Sequence, residues 1–378
     1  MKVVLDARYI REQPSGIGAY VRALVDRLPA LAPDDTFELW AHPLAPRPLS
    51  SAPNVIERSL HVGANSPQTL LWPSRLAPLD GADLFHSPHN ILGRGIRCPT
   101  VVTIHDLMWR FRPHLSEPNP VVRLVRAPFF ASGIELALRR ASRIVTISNA
   151  SADDIARLVP AARRRVVVIH LAADSIFAPP PPAEERAARA RASEVVGGDS
   201  PYFLLIGQNA PYKAHDLAMR AFAAASPRGA LLGVVQRRMP GRGLDRLARE
   251  LGIEDRMRWF STLPIGDLVA LIQHATALVQ PSLDEGFGMP VLEAMASGCP
   301  VIASDIAPLR EVSAGAALHV PVRDVAALAA AMRRVASDGP LRAELSAKGL
   351  ERARAFSWDR CARETLAVYR DAMSSRSP

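Results

Sequence analysis

Short apolar runs alternate along the first half of the chain with longer segments whose apolar residues recur at helical spacing. Strands are predicted at residues 3–5, 37–40, 84–86, 101–105, 144–148 and 166–169. The segment after the first strand has its apolar residues three and four positions apart, as in an amphipathic helix: Ile17, Tyr20, Val21, Leu24, Val25 and Leu28. Because parallel strands need long crossovers, usually helical, this alternation predicts a parallel sheet covered by helices.

The alternation is interrupted once and then starts again. Residues 177–182 contain four successive prolines, which make a stiff connector, and a charged helical stretch follows at 184–192. Strands are then predicted at 203–207, 231–235, 257–260, 277–280, 301–303 and 317–320, and helices at 341–355 and 358–372. We therefore expect two doubly wound domains, 1–180 and 201–356, with a linker at 181–200 and a cleft at the carboxyl ends of their strands.

Composition agrees with a large soluble enzyme. The chain has 378 residues, of which 48% are hydrophobic, enough to bury two cores. Asp6 breaks the first apolar run, so the N-terminus does not read as a secretory signal, and no apolar stretch approaches the ~20 residues that span a bilayer. Cys98, Cys299 and Cys361 lie far apart without metal-ligand spacing. We expect a cytoplasmic protein.

The most informative segment is 281–300, where a glycine-bearing loop leads from a short apolar run into a predicted helix. Gly286 and Gly288 allow the backbone to approach a ligand closely, and Pro290 suits the first turn of a helix. Free N–H groups and the helix dipole favour an anion at such a helix start. The sequence therefore predicts a diphosphate site here.

Two carboxylates accompany this loop. Glu285 precedes the helix and Glu293 is expected in its first turn. A carboxylate accepts hydrogen bonds from neighbouring hydroxyls but repels a phosphate, so both residues are interpreted as clamps for sugar diols. The alternative is that both are ordinary solvated acids at a helix terminus.

Glu285 and Glu293 lie in the sequence EGFGMPVLEAMASG, which resembles the signature of the retaining family-4 glycosyltransferases (glycosyl transferases group 1). The resemblance extends over nearly the whole chain, at residues 5–9, 15–20, 85–88, 103–107, 146–148, 203–207, 212–213 and 356–358. It implies the GT-B fold, in which two Rossmann-like parallel-sheet domains face each other across a cleft. The first domain would bind the acceptor and the second the nucleotide sugar, and segment 357–378 would cross back to the first.

The resemblance also implies residue roles. His105, Lys213 and Glu285 would be catalytic and Asp106 would lie on the acceptor side, whereas His86, His89 and His170 are interpreted as structural. Tyr212 stands where the family often carries an arginine beside the lysine. The donor would contact Gly16, Gly18, Gly207, Lys213, Glu285, Gly286, Phe287, Gly288, Met289, Pro290, Val291 and Glu293.

Lysine usage supports Lys213 independently. Only Lys2, Lys213 and Lys348 among the 46 basic residues are lysines. A compact ammonium is a good point charge for a diphosphate leaving group, which the planar guanidinium does not replace. Retention of lysine at this position therefore favours a phosphate contact.

The activity implied by the resemblance is retaining transfer of a hexose from a nucleoside-diphosphate sugar to an acceptor hydroxyl. The resemblance favours mannose from GDP-mannose, in the assembly of a surface polysaccharide such as lipopolysaccharide. No metal and no other cofactor is expected, and the sequence has no Asp-x-Asp pair to hold a divalent cation. The leaving phosphate itself would help to deprotonate the acceptor, without a covalent nucleophile.

The chain is basic, with a net charge of +9 and a pI near 10.1, and its first half is the more basic. We do not expect nucleic acid as a partner, because no binding motif accompanies the charge and aromatic residues are only 6%. Basic and bulky apolar residues interleave at 109–112 and 121–130, which favours peripheral contact with anionic lipid and a lipid-linked saccharide acceptor. A solvated, arginine-rich surface is the alternative.

Two other functions are open at this point. A sugar-nucleotide epimerase of the same fold would release an isomer or free sugar without an acceptor. A catalytically silent nucleotide- or glycan-binding protein would release nothing. Donor screening with a nucleotide-release readout distinguishes the three.

Overall fold

The chain folds into two compact units, described by a computed structural model for residues 1–12, 15–236 and 243–374. Unit 1 comprises Met1–His114, Asn119–Leu171 and the described residues from Ser357 onward. Unit 2 comprises Leu115–Pro118 and Ala172–Phe356. Residues 172–180, which the sequence assigned to the first domain, therefore belong to unit 2.

The described part of unit 1 contains a parallel sheet of seven strands in the order β3-β2-β1-β4-β5-β6-β7. The sequence predicted six of them and missed β3, a largely exposed strand at the sheet edge whose residues VIERS form no apolar run. The strands are β1 (Lys2–Asp6), β2 (Thr36–Ala41), β3 (Val55–Ser59), β4 (Leu84–Ser87), β5 (Thr100–Ile104), β6 (Arg143–Thr146) and β7 (Val166–Val168).

Within the described residues of unit 2, six parallel strands form a second sheet in the order β10-β9-β8-β11-β12-β13. All six were predicted to within two residues. The four inner strands are buried at nearly every position and read as largely apolar runs. In both sheets the strand order is that of a doubly wound Rossmann-type fold. The strands are β8 (Tyr202–Ile206), β9 (Leu231–Val235), β10 (Met257–Phe260), β11 (Ala277–Gln280), β12 (Val301–Ser304) and β13 (Leu318–Val320).

Helices connect the strands and bury their apolar faces against the sheets, and the described residues of each unit include a large core cluster. Their bounds are α1 (Gly16–Leu31), α2 (Pro67–Leu71), α3 (Pro73–Leu76), α4 (Met108–Phe111), α5 (Pro113–Ser116), α6 (Pro120–Arg140), α7 (Asn149–Leu158), α8 (Glu185–Val196), α9 (His215–Ala225), α10 (Leu244–Glu250), α11 (Ile265–His274), α12 (Met289–Ala296), α13 (Ala307–Ser313), α14 (Val325–Ser337), α15 (Gly339–Ala353) and α16 (Trp358–Ser374). Short 3-10 turns lie at Pro160–Arg165, Pro211–Lys213 and Glu254–Arg256.

The segment predicted as a linker, 181–200, is mostly helix α8. Ala192 and Val196 of this helix are buried, and Arg258 Nε donates to the carbonyl of Val196 at 2.9 Å. Helix α8 packs against α11. The segment is therefore an integral part of unit 2.

The last helix, α16, is anchored in unit 1 by a buried polar chain. The hydroxyl of Tyr369 lies 2.7 Å from Nδ1 of His86, and the Nε2 atom of His86 lies 2.9 Å from Oγ1 of Thr103. The hydroxyl of Tyr20 on α1 lies 3.0 Å from the same oxygen. Burial lowers the pKa of His86 to about 3, so the ring is neutral and acts as a structural link.

Candidate functional site

The two loops that carry the principal predicted residues of unit 2 flank the point where the strand order of its sheet reverses. Strands β8 and β11 are neighbours there, and ligands of doubly wound folds bind at such a point. Lys213 follows β8 and Glu285 follows β11. The amide of Leu283 donates to the carbonyl of Tyr212 at 2.7 Å and joins the two loops.

Glu285 is held by three donors that all reach the same carboxylate oxygen. Oε1 accepts from Lys213 Nζ, Gln280 Nε2 and Ser282 Oγ, each at 2.7 Å. Gln280 and Ser282 are fully buried. Oε2 has no hydrogen-bond donor within the described parts of the chain. The carboxylate is thus fixed in orientation, with one oxygen left for a ligand.

Lys213 is positioned by the backbone of Gly207. Gly207 has a φ of 147°, and a Cβ there would lie 3.1 Å from Cε of Lys213, so the glycine makes room for the lysine stem. Burial acts to lower the pKa of Lys213, but the charge and hydrogen bond of Glu285, together with contributions from Tyr212 and Glu293, outweigh it and raise the pKa above its ordinary value. The ammonium therefore stays charged at neutral pH.

Tyr212 occupies the position of the companion arginine. The Nζ atom of Lys213 lies 5.3 Å from the centre of the Tyr212 ring, within the range of a cation–π contact. The residue contributes an aromatic face to the ammonium where an arginine would bring a second positive charge.

Helix α12 begins at the loop after Glu285, as the sequence predicted. Gly288 precedes the helix with a φ of 109°, and a Cβ there would lie 2.6 Å from Cδ2 of Leu309. Both facts require glycine at this position. The amides of Gly288 and Met289 have no acceptor in the described structure, and Pro290 has no N–H to satisfy. Two free donors therefore remain at the positive end of the helix dipole, as an anion site needs.

Two predicted donor contacts have buried side chains. The ring of Phe287 packs edge-on against Phe356, with ring centres 5.7 Å apart, and the side chain of Val291 is fully buried. These side chains hold the loop and α12 in place.

Glu293 differs from its prediction in place and in charge. It is the fifth residue of α12 and so lies in the second turn, not in the first. Burial raises its pKa to about 8, against the opposing charge of Lys213, and the charge of Asp174 adds to the rise. At neutral pH Glu293 is therefore mostly a neutral acid, which can both donate and accept a hydrogen bond.

In unit 1, His105 follows β5 and is fixed on one side of its ring. Nε2 donates to the carbonyl of Pro88 at 2.9 Å, and the backbone amide of His105 donates to Oδ1 of Asn90 at 2.6 Å. Burial lowers the pKa of His105 to about 4 although the Pro88 carbonyl opposes the shift. The neutral ring is left with Nδ1 as an acceptor.

The two glycines predicted at the start of α1, Gly16 and Gly18, differ in how tightly they are packed. Oγ of Ser15 accepts from the amide of Gly18 at 2.9 Å and caps the helix. A Cβ at Gly18 would lie 2.8 Å from the carbonyl oxygen of Tyr9, whereas a Cβ at Gly16 would meet nothing within 4 Å. Packing therefore requires Gly18 and leaves Gly16 open to other contacts.

Asp106 also has a local structural contact. Its Oδ1 accepts from the amide of Met108 at 3.0 Å, at the start of α4. Gly16, Gly18, His105 and Asp106 all belong to unit 1, and the other predicted site residues belong to unit 2. Among the residues predicted to be catalytic, the structure brings Lys213 and Glu285 into direct contact.

Sequence reasoning missed Gln280 and Ser282, which orient Glu285. The available signal was a polar residue at the end of an otherwise apolar strand. Gln280 follows the apolar residues 277–279 and is itself buried. A buried amide at a strand end needs a partner, and here the partner is the carboxylate five residues on.

Comparison with known proteins decides the family. The sequence profile "Glycosyl transferases group 1" matches residues 187–352, and "Glycosyltransferase Family 4" matches residues 14–175. The D-inositol 3-phosphate glycosyltransferase of Saccharomonospora viridis is 30% identical over 318 residues, which cover 78% of this chain and 71% of that protein. The chain belongs to glycosyltransferase family 4.

This family-4 glycosyltransferase is also similar to O-antigen chain mannosyltransferase B of Escherichia coli, with 38% identity over 117 residues that cover 31% of each chain. Among solved structures, the Anabaena protein HepE in complex with UDP and glucose matches with a TM-score of 0.72 at 17% identity, covering 98% of this chain and all of that one. The predicted GT-B fold is thereby confirmed.

Proposed function

We propose that this glycosyltransferase moves a hexose, with retention of anomeric configuration, from a nucleoside-diphosphate sugar to the hydroxyl of an acceptor. One observation carries the proposal. Glu285 has Oε1 bonded to three donors, including the charged Lys213, while Oε2 remains open beside the start of α12. A fixed carboxylate next to a cation and a helix terminus suits a sugar joined to a diphosphate.

In unit 2 the donor would be held through its charge and its hydroxyls. Lys213 and the amides of Gly288 and Met289 bind the diphosphate and stabilise the charge that builds on it as the glycosidic bond breaks. A well-placed hydrogen-bond donor or cation of this kind contributes about 3 kcal/mol to transition-state stabilisation. Oε2 of Glu285 orients a sugar hydroxyl and the carboxyl of Glu293 binds the ribose diol. The proposal includes no metal ion and no other cofactor.

In unit 1 the neutral ring of His105 would accept a hydrogen bond from a hydroxyl of the transferred sugar through Nδ1, because Nε2 is committed to Pro88. Asp106 would lie on the acceptor side. The acceptor approaches from the face that the leaving phosphate departs from, and a phosphate oxygen takes the acceptor proton. No side chain becomes a covalent nucleophile in this route.

The test is a screen of nucleotide sugars with a nucleotide-release readout, with and without saccharide acceptors. Glu285→Ala is expected to abolish transfer while the circular dichroism spectrum stays that of the wild type. Glu344→Ala is the matched control, because Glu344 also pairs with a lysine, Lys348 at 2.6 Å, but on an exposed helix surface. Near-normal turnover in Glu285→Ala would remove Glu285 from the mechanism.

The proposed sugar and acceptor are those suggested by one of the relatives. Similarity to an O-antigen mannosyltransferase supports mannose from GDP-mannose and an acceptor that is a saccharide or a lipid-linked saccharide of a surface polysaccharide. The same screen separates the alternatives, since an epimerase would act without an acceptor and a silent binding protein would release no nucleotide. An exclusive response to UDP-glucose would replace the mannose assignment.

An exposed apolar surface on α6 supports contact with an anionic membrane. Val121, Leu124 and Val125 share one face of the helix and are 74%, 77% and 73% exposed. Arg123 and Arg126 lie in the same two turns, so positive charge borders the apolar face. None of the described helices is both long and apolar enough to cross a bilayer. From the exposed apolar and basic residues of α6, we propose a cytoplasmic location, peripheral at the inner face of the cell membrane.

Vesicle sedimentation tests this contact. The wild type is expected to sediment with vesicles that contain anionic lipid and much less with neutral ones. Leu124→Ser with Val125→Ser should abolish sedimentation and leave transfer to a soluble acceptor unchanged. Equal sedimentation with both vesicle types would contradict the membrane assignment.

A further inference from the structure

Gln236 has a buried side chain without any hydrogen-bond partner. It follows β9 directly and is 3% exposed, and both polar atoms of its carboxamide are buried and unpaired in the described structure. Its backbone is satisfied separately, because its amide donates to the carbonyl of Phe260 at 2.9 Å. The strand therefore does not account for the polar side chain.

The side chain lies on the face of the sheet that α9 covers. Side chains alternate along a strand, so Gln236 shares a face with Leu232 and Val234. Those two residues belong to the same core cluster as Met219 and Phe222 of α9. Gln236 lies beyond them, at the carboxyl edge of the sheet, which is the edge that carries Lys213 and Glu285.

His215, the first residue of α9, is a second polar side chain of this kind. It is 4% exposed, and its buried Nδ1 has no partner in the described structure. Burial lowers the pKa of His215 to about 4, and the nearby charge of Lys213 lowers it further. The ring is therefore neutral, with one donor and one acceptor, and lies close enough to Lys213 to sense its ammonium.

An unsatisfied buried polar group costs about 1–3 kcal/mol, so such groups indicate a missing partner. A carboxamide presents a donor and an acceptor side by side, which match the neighbouring acceptor and donor on the edge of a nucleobase. A phosphate offers acceptors alone. Strand β9 also lies on the side of β8 away from β11, and Glu285, which would hold the sugar, follows β11. The nucleoside end of the donor is thus the part that reaches Gln236.

We propose that the carboxamide of Gln236, together with the ring of His215, binds the nucleobase of the donor and determines which nucleoside diphosphate the protein accepts. The inference rests on the proposed function, because it needs a nucleotide sugar at this edge of the sheet. It adds to that function two residues that read the base, separate from those that bind the diphosphate.

Calorimetric titration of the full chain with UDP, GDP, ADP, CDP and inorganic pyrophosphate tests the inference. The wild type is expected to bind one nucleotide at least about tenfold more tightly than the others, which corresponds to about 1.4 kcal/mol. Gln236→Leu should reduce this preference to less than about threefold, since an apolar side chain cannot pair with the base. Its affinity for pyrophosphate, which has no base, should match that of the wild type. His215→Leu should weaken the binding of the preferred nucleotide and leave the affinity for pyrophosphate unchanged.

Thermal stability separates recognition from a structural role. Gln236→Leu removes an unpaired buried amide, so its Tm should equal or exceed that of the wild type. Gln236→Met provides the same test with an unbranched side chain of similar length. A lowered Tm with the base preference intact in both variants would overturn the inference and leave the proposed function standing. A wild type that binds neither nucleotides nor pyrophosphate would overturn both.

Discussion

The Nζ atom of Lys213 lies 2.7 Å from Oε1 of Glu285, and this contact joins residues 72 positions apart in the sequence. Both side chains are only 9% exposed. A buried ion pair holds each partner in one orientation, and loss of either partner leaves the other as an uncompensated charge. The pair therefore couples the geometry of the two loops that end β8 and β11.

Replacement of the lysine in this pair should remove a large part of the activity. Lys213→Met is expected to lower kcat about 100-fold or more, because the charge of the leaving diphosphate loses its cation. Steady-state kinetics with the preferred donor measure the effect. Lys348→Met is the matched control, since Lys348 pairs with Glu344 at 2.6 Å on an exposed surface and should retain full activity. A kcat within threefold of the wild type for Lys213→Met would contradict the assigned role.

Glu293 should make the stability of the protein depend on pH. Burial raises its pKa from 4.5 to about 8, so the folded protein keeps a proton that the unfolded chain releases at lower pH. The free energy of unfolding therefore falls as the pH rises from about 4.5 to about 8. Glu293→Gln is neutral throughout and should gain stability relative to the wild type across this range. Denaturant titrations of both proteins at several pH values measure the difference, and a constant difference would refute the raised pKa.

The two glycines at the start of α1 should respond differently to alanine. Gly18→Ala is expected to destabilise the protein by about 1–3 kcal/mol, because the new Cβ would lie 2.8 Å from the carbonyl oxygen of Tyr9. Gly16→Ala should be neutral or stabilising by up to about 1 kcal/mol, since its Cβ meets nothing. Chemical denaturation compares the two variants directly. Equal losses of unfolding free energy would show that the close approach to Tyr9 does not exclude a side chain at residue 18.

Tyr369 should anchor α16 through its hydroxyl. Tyr369→Phe leaves Nδ1 of the buried His86 without its partner and should cost about 1–3 kcal/mol of unfolding free energy. Asp371→Ala serves as the control on the same helix, because Asp371 pairs with Arg143 at the exposed surface and should cost less than about 1 kcal/mol. If the two variants lose the same unfolding free energy, the buried hydrogen bonds from Tyr369 to Thr103 stabilise the protein no more than an exposed ion pair does.

The strands could be predicted from the sequence where burial is complete. Strand β11 is buried along its whole length and was predicted at its observed bounds, as was β9, which is buried at all positions but its last. Strand β3 was missed because it pairs only with β2 and faces solvent at most positions, so its polar residues carry no apolar pattern. A hydrophobic pattern arises from buried positions, so an exposed edge strand has too few apolar residues to show one.

The candidate site was only partly accessible to sequence reasoning. The loop, Lys213 and Glu285 were found from motif and spacing, but their direct contact depends on how β8 and β11 pair in space. The neutral state of Glu293 and the unpaired amide of Gln236 arise from burial by residues distant in sequence. Such effects have no local signature, because charge state and hydrogen-bond satisfaction are set by the tertiary environment.

The division of unit 1 along the chain has a consequence for synthesis. Residues 172–356 of unit 2 leave the ribosome as one continuous block, whereas unit 1 lacks α16 and the Tyr369 contact to His86 until residues 357–374 have been made. The part of the protein that is made first is therefore the last that can reach its native interior.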